Sequence, residues 1–386
     1  MVKISFNSIH LFIIIIISLF FNSLEVYAAK NTTPRPPDIK ADGYILVDFN
    51  SGQILLEKNP DQRMEPASLT KMMTAYVVYS EIQKGNAGLS EMVKISNKAW
   101  RMKGSRMFVE SGKRVSVEEL LKGMIVQSGN DATIALAEHI AGSEEDFVII
   151  MNEYAKILGL NDTHFYNATG LPHRNHYSTP RDMSNLGRAI IRDFPDDYRA
   201  FSLKVYKYNK IEQKNRNRLL WSNKYVDGIK TGHTDSAGYC LVASALRDNM
   251  RLISVVLGTK SKKARERESH KLLTHGFRFY ETHKLYTAKE PLSRVRIWKG
   301  QSKELPLGLI EDLFVTIPKG QYKNLDASMS INAEIIAPVG QGNTYGTVNI
   351  TLGRKNYAVR KLIALTDIPT GSLFQTIIDT IELAFK

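Results

Sequence analysis

The hydrophobic residues of this chain change period along its length in an order that few folds accommodate. Strand-like runs at Gly43–Phe49 and Gln53–Lys58 flank Asn50-Ser51-Gly52 and predict a hairpin. A helical period follows, with Leu69, Met72, Met73, Tyr76 and Val77 on one face of a helix that Pro66-Ala67-Ser68 opens and that ends near Gly85. From Val117 to Ala168 the pattern stays mostly helical, broken at Ser128-Gly129-Asn130 and at Gly142. Thr179–Arg192 predicts one more helix, with Thr179 as N-cap and Pro180 in the first position. Strand patterns return at Asp227–Thr231, Gly238–Leu246 and Leu252–Gly258, the last two joined by the turn residues Arg247-Asp248-Asn249. The charged stretch Lys260–Tyr280 then keeps Leu272, Leu273, Phe277 and Tyr280 on one side, as a surface helix does. Strands, helices, strands and a helix, without β-α-β alternation, predict an α+β domain: an antiparallel sheet backed by helices.

Beyond that domain the pattern shortens. Runs at Val295–Lys299, Leu313–Ile317, Met329–Ile336, Gly346–Leu352 and Asn356–Ala364, separated by polar and Gly-rich breaks, predict a small all-β module. The last segment differs again. Leu373, Phe374, Ile377, Ile378, Ile381, Leu383, Ala384 and Phe385 build one broad apolar face, while Gln375, Thr376, Asp379, Thr380 and Glu382 are polar. A helix of that length cannot cross a bilayer and would lie in the interface plane. With Lys386 its only cation, apolar burial rather than charge must drive attachment.

At the other end, Lys3 precedes the apolar block Leu11–Phe21, and Val26-Tyr27-Ala28 places small side chains at the −3 and −1 positions of a cleavage site. This is the pattern of a secretory signal. The expected segments are therefore 1–28 signal peptide, 29–286 α+β domain, 287–369 β module and 370–386 amphipathic helix. Hydrophobic residues at 43% and charged residues at 24% exclude a disordered chain, and the single cysteine, Cys240, excludes a disulfide framework. A net charge of +13 would suggest nucleic acid inside a cell, but export removes that partner and leaves headgroups and acidic wall polymers. The most basic run, Lys204–Lys224, sets Lys204, Lys207, Lys210, Lys214, Arg216, Arg218 and Lys224 against Glu212 alone.

Three short motifs carry chemistry. In Ser68-Leu69-Thr70-Lys71 a hydroxyl and an amine three residues apart share a helix face. The lysine can serve as a base only if burial or a second cation lowers its pKa, and the helix N-terminus would stabilise negative charge near Ser68. By itself the spacing is common, and an N-cap serine followed by an exposed lysine reads the same way. Ser128-Gly129-Asn130 adds a second hydroxyl and an amide at a break between helices, and Lys230-Thr231-Gly232, followed by His233, lies on a strand. In this order, and in these local structures, the three match the signature of serine acyltransferases that bind penicillin.

With those motifs, and with Asp227–Ala245, Pro66–Met73 and Gln127–Ala132, the chain resembles the low-molecular-mass penicillin-binding proteins of the D-alanyl-D-alanine carboxypeptidase type from about Ala41 to its end. The resemblance implies a β-lactamase/transpeptidase-like domain and an exported enzyme. Such an enzyme removes the terminal D-alanine from peptidoglycan stem pentapeptides, is acylated by β-lactam antibiotics, needs no cofactor or metal, and sits on the outer face of the cytoplasmic membrane. It further implies that Ser68 attacks, Lys71 takes its proton, Lys230 helps keep Lys71 neutral, and Ser128 passes the proton to the leaving amine. Asn130 would hold Lys71 or the substrate amide, the backbone of Ser68 and His233 would form the oxyanion hole, and Thr231 and Gly232 would pair with the substrate backbone. Arg216 corresponds to the carboxylate-binding arginine, with Arg218 the competing choice. A β-lactamase, a DD-endopeptidase or a catalytically idle wall-binding protein would share much of this pattern. Of the remaining features, His173-Arg174-Asn175-His176 has metal-like spacing but no carboxylate nearby in sequence, Asp182 reads as a scaffold residue bonding backbone in its own helix, and Cys240 as a packed side chain.

Overall fold

The computed structural model describes residues 35–385. The signal peptide expected over 1–28 lies outside the described residues. A five-stranded antiparallel sheet organises the first domain, in the spatial order Ile54–Lys58, Gly43–Asp48, Met250–Thr259, Gly238–Arg247, Val226–Thr234. The amino-terminal hairpin thus pairs with strands far along the chain, and the helical stretches between them cover one face. Lys262–Phe279 covers the other, packing Leu272, Leu273 and Phe277 against Leu241, Leu252 and Val256. On the first face Met72, Met73, Leu120, Met124, Leu136 and Leu186 share one core with Val242 and Val255.

Four helices of that face matter for the site. Lys71–Gln83 is buried over most of its length, so its apolar residues are not confined to one stripe. Val117–Val126 starts with a capping box, in which Ser116 and Glu119 satisfy each other's backbone N–H groups. Asn130–Ala141 follows, and Pro180–Asp193 starts where Thr179 and Pro180 predict, with the Thr179 side chain accepting from Asp182 N–H. The helical period expected to reach Ala168 stops earlier. Glu144–Ile157 ends at Gly159, whose φ of 66° closes the helix in the left-handed conformation that glycine adopts without steric cost. Residues 158–168 are loop.

Within the basic run, Val205–Tyr208 and Ile211–Lys214 form a hairpin turned at Asn209-Lys210, both at positive φ. The β module contains the five-stranded sheet Ser293–Arg296, Glu304–Gly308, Lys355–Ala364, Thr344–Leu352, Leu325–Ile331. The strand expected at Met329–Ile336 instead occupies Leu325–Ile331. Leu325, Ala327, Met329 and Ile331 alternate with polar residues, but its side chains are mostly exposed, so the alternation marks no buried face. Tyr280–Tyr286, ahead of the boundary expected at 286, pairs with Leu313–Pro318. Buried Asp48 at the hairpin turn joins the two domains, accepting from Thr282 Oγ1 at 2.6 Å, while Thr316 Oγ1 lies 3.0 Å from Thr282 Oγ1 and 2.6 Å from Ser51 Oγ.

One buried carboxylate shapes the approach to the second motif. Asp131, 1% exposed, accepts from the backbone N–H groups of Met107, Phe108 and Val109 at 2.8, 2.8 and 3.2 Å. It thereby straps the preceding loop over Ser128-Gly129-Asn130 and holds Phe108 at a φ of 71°, a conformation bulky side chains avoid. Asp131→Ala leaves three inward-facing donors without a partner. The expected outcome is a stability loss of about 3 kcal/mol or more, read as a lower urea midpoint at unchanged m-value.

Candidate active site

The turn that carries Ser68, the candidate nucleophile turn, is built from backbone contacts. Ala67–Thr70 forms one 3₁₀ turn ahead of the helix Lys71–Gln83. Ala67 sits at a φ of 48°, which costs an L-residue roughly 1–2 kcal/mol. Thr70 Oγ1 donates to the Ala67 carbonyl at 2.8 Å. Gly170, at a φ of 86°, lies so close that a Cβ there would be 1.8 Å from the Ala67 oxygen. The turn leaves Ser68 half-buried at the wall of a cleft of about 410 Å³ and sends Lys71 inward.

Lys71 Nζ, 1% exposed, has three oxygen neighbours: Ser68 Oγ at 3.2 Å, Asn130 Oδ1 at 2.8 Å and the Thr169 carbonyl at 2.6 Å. A neutral amine has two N–H donors and one lone pair. The amide oxygen and the carbonyl can only accept, so they take both hydrogens. The lone pair is then left for the one neighbour that can donate, the Ser68 hydroxyl. Burial pushes the Lys71 amine down to about 7, the Arg216 guanidinium pushes further in the same direction, and Asp131 opposes them. Lys230, fully enclosed and donating to the Thr231 carbonyl at 3.0 Å, is also driven well below its ordinary range, first by burial and then by Lys71, Arg216 and Arg265. The lowering of Lys71 thus comes from burial and Arg216, not from the Lys230 repulsion expected from the sequence; between the two lysines it is Lys71 that lowers Lys230.

Around this pair the cleft collects the remaining motif residues. Ser128 sits at a φ of 65° at the break between two helices, and its buried Oγ has no hydrogen-bond partner among the described residues. Asn130 holds Lys71 with its oxygen and donates from Nδ2 to the Lys103 carbonyl at 2.7 Å. Thr231, Gly232 and His233 line the opposite wall on the strand Val226–Thr234. The glycine serves the nucleophile turn itself, because a Cβ at Gly232 would lie 2.9 Å from the Pro66 carbonyl and 3.2 Å from Ala67 Cβ. Arg216 lines the cleft and is anchored by its Nε on the Gln127 carbonyl at 3.0 Å, whereas the Arg218 guanidinium lies 5.2 Å from the centre of the Trp221 ring.

Sequence reasoning missed several supporting groups. The Thr169 carbonyl offers no side chain to read. Gly104 and Ser105 enter the cleft only because the 103–109 loop is strapped down, with Asn130 N–H on the Ser105 carbonyl at 2.7 Å. Arg265, 4% exposed, donates to the Gly232 carbonyl at 3.1 Å and reaches the Arg216 carbonyl at 3.5 Å. It stands two helical turns before Leu272 on the buried face, and a cation in that register was the available signal. Asp182 bonds outside its helix, accepting from Asp162 N–H at 2.9 Å and Thr163 Oγ1 at 2.7 Å rather than from its own helix backbone. Cys240 is fully buried, and burial pushes its thiol up to about 11.

Comparison with known proteins agrees with the site. The sequence profile of the peptidase S11 D-alanyl-D-alanine carboxypeptidases matches residues 30–261, and that of the penicillin-binding protein 5 C-terminal domain matches residues 280–370. The chain is 46% identical over 364 residues to the D-alanyl-D-alanine carboxypeptidase DacA of Escherichia coli K12, covering 92% of this chain and 90% of that one. To DacC of the same strain it is 44% identical over 375 residues, covering 95% and 94%. Penicillin-binding protein 5 from Haemophilus influenzae superposes with a TM-score of 0.84 at 46% identity, covering 87% of this chain and 99% of that structure. A nucleophile turn, an inward-facing lysine deprived of water and two further motifs on one cleft, in a chain alike from hairpin to β module, make this protein a member of the peptidase S11 family, a D-alanyl-D-alanine carboxypeptidase of the penicillin-binding protein 5 type.

Proposed function

We propose that the enzyme removes the terminal D-alanine from peptidoglycan stem pentapeptides through an acyl-enzyme on Ser68, from a position on the outer face of the cytoplasmic membrane. The observation that carries the chemistry is the Lys71 amine, 3.2 Å from Ser68 Oγ with its other two oxygen neighbours restricted to accepting. Ser68 Oγ attacks the carbonyl between the two D-alanines as its proton passes to Lys71 Nζ. The negative charge that develops on that oxygen meets the backbone N–H groups of Ser68 and His233, donors of a kind worth about 3–4 kcal/mol each. Ser128, otherwise unpartnered, relays the proton to the leaving amine, and the C–N bond breaks. Arg216 receives the terminal carboxylate, and the strand carrying Thr231 pairs with the extended peptide. Water then attacks the ester, returning the proton to Ser68 and freeing the shortened stem. β-Lactams enter by the same acylation.

Attachment to the membrane rests on the tail. Among the described residues no helix is long and apolar enough to cross a membrane. Leu373–Ala384 is docked by its polar side: Asp379, 2% exposed, accepts from Arg296 at 3.2 Å, from Gln375 at 2.9 Å and from the Lys299 backbone N–H. Its other side leaves Leu373, Phe374, Ile377, Ile381 and Phe385 exposed, Phe374 by 74% and Phe385 by 88%. A helix spent as packing on its own protein would turn that face inward, and burial in a headgroup layer accounts for the outward orientation. Together with the leader pattern of residues 1–28, this supports a secreted enzyme tethered at the interface plane.

Three measurements test these readings. Wild type should release D-alanine from a diacetylated pentapeptide mimic and Ser68→Ala should not; cleavage of cross-linked dimers in preference to the pentapeptide would make it an endopeptidase, and absence of a penicillin adduct on Ser68 at steady state a lactamase. Protonated Lys71 has no lone pair, so the acylation rate constant should fall below a midpoint near pH 7 and level off above it; a flat profile from pH 5 to 9 would remove Lys71 as the base. Deleting Leu373–Lys386 should leave hydrolysis intact and move the protein from vesicle pellet to supernatant; continued pelleting would reject the tether.

A further inference from the structure

The run His173-Arg174-Asn175-His176 has no part in the chemistry described so far, yet His176 is buried directly behind the nucleophile turn, with 2% exposure. Its Nε2 lies 2.8 Å from Thr70 Oγ1. That hydroxyl gives its only hydrogen to the Ala67 carbonyl, so Nε2 must carry the proton and donate it. On the other side of the ring, Nδ1 accepts from Tyr166 N–H at 3.3 Å and must be bare. Both contacts are met by one neutral tautomer and by no other protonation state.

The two groups it joins are the two supports of the Ser68–Lys71 pair. Thr70 holds the carbonyl of Ala67, the residue before Ser68, and is itself the residue before Lys71. Tyr166 opens the segment whose Thr169 carbonyl takes one hydrogen from Lys71 Nζ. That segment is rigid from Asn167 onward, because Asn167 Oδ1 gathers the N–H groups of Thr169, Gly170 and Leu171 at 3.2, 2.7 and 3.1 Å. We propose that His176 is a positioning residue: by tying Thr70 to the Tyr166–Thr169 segment it fixes the distance between Ser68 Oγ and Lys71 Nζ and keeps water away from the amine. The inference rests on the reading of Ser68 and Lys71 as nucleophile and base.

The charged and titratable groups around the ring agree with a permanently neutral role. Burial, then His164, His173 and Lys71, push His176 down to about 4, and the Phe165 ring meets it edge-on with centroids 5.9 Å apart. A second ring proton would face Tyr166 N–H and break that contact.

Glutamine offers an amide donor and a carbonyl acceptor on a side chain of comparable reach, whereas phenylalanine keeps bulk and loses both bonds. With penicillin as the acylating probe, His176→Phe should slow acylation about 10- to 100-fold, the scale of a misplaced reacting group, and should raise the pH midpoint above 7 as water reaches Lys71. His176→Gln should keep the rate within about 3-fold of wild type and leave the midpoint unchanged, the contrast expected when two hydrogen bonds rather than ring bulk carry the effect. Thermal melts of both variants keep folding separate from positioning. Wild-type rate and midpoint in folded His176→Phe, or equal loss of rate and of melting temperature in both variants, would overturn the proposal. Acylation by penicillin reads Ser68 and Lys71 directly, so failure of the pentapeptide assay alone would leave this test standing.

Discussion

The structure turns on one amine kept out of water. An ammonium group in bulk solvent holds its proton tightly; moving it into a protein interior penalises the charged form far more than the neutral one. Here the nucleophile turn, the Ser128–Asn130 break and the loop at Thr169 enclose Lys71, and Arg216 adds repulsion across the cleft. On the proposed reading the residue serves as a base near neutrality without any carboxylate or imidazole partner of the kind that activates other serine nucleophiles. Asp131 pulls the other way, while its carboxylate accepts from three backbone N–H groups beneath the site.

A recurring device holds the groups around that amine. Buried polar side chains reach across to backbone atoms of a neighbouring segment, Asp131 to residues 107–109, Asn130 to Lys103, Arg265 to Gly232 and Arg216, and His176 to Tyr166, while half-buried Asn167 gathers residues 169–171 of its own loop. Where the bonded groups are buried, as at Asp131 and Arg265, such a bond is costly to lose and geometrically specific. Loops made this way behave as extensions of the sheet and helices, and the strained Ala67 is held among them.

The same economy joins the domains. Buried Asp48 and Thr316, with half-buried Thr282 and Ser51, form a polar junction between the first hairpin and the β module. At the far end Asp379 fastens the polar edge of the last helix, which leaves its apolar edge facing away from the protein.

Much of this was legible in the order of residues. Short apolar runs located the sheet, whose strands are buried on both faces, and a period of 3.6 located the helices behind it and the amphipathic tail, because burial on one face of a helix imposes a repeat along the chain. Capping residues such as Thr179 and Pro180 marked a helix start, and three spaced motifs identified the family and pointed to Ser68 as the candidate nucleophile. Element ends were less legible: the strand Leu325–Ile331 begins and ends before the run expected at Met329–Ile336, and the helical stretch expected to reach Ala168 closes near Gly159. What the tertiary structure alone decided is which atoms meet. That Arg216 rather than Arg218 enters the cleft, that a backbone carbonyl at Thr169 takes a hydrogen from Lys71, and that His176 lies behind Ser68 all depend on contacts between residues distant in sequence. Such contacts arise from three-dimensional packing and hydrogen-bond satisfaction, and neither leaves a periodic trace in the chain.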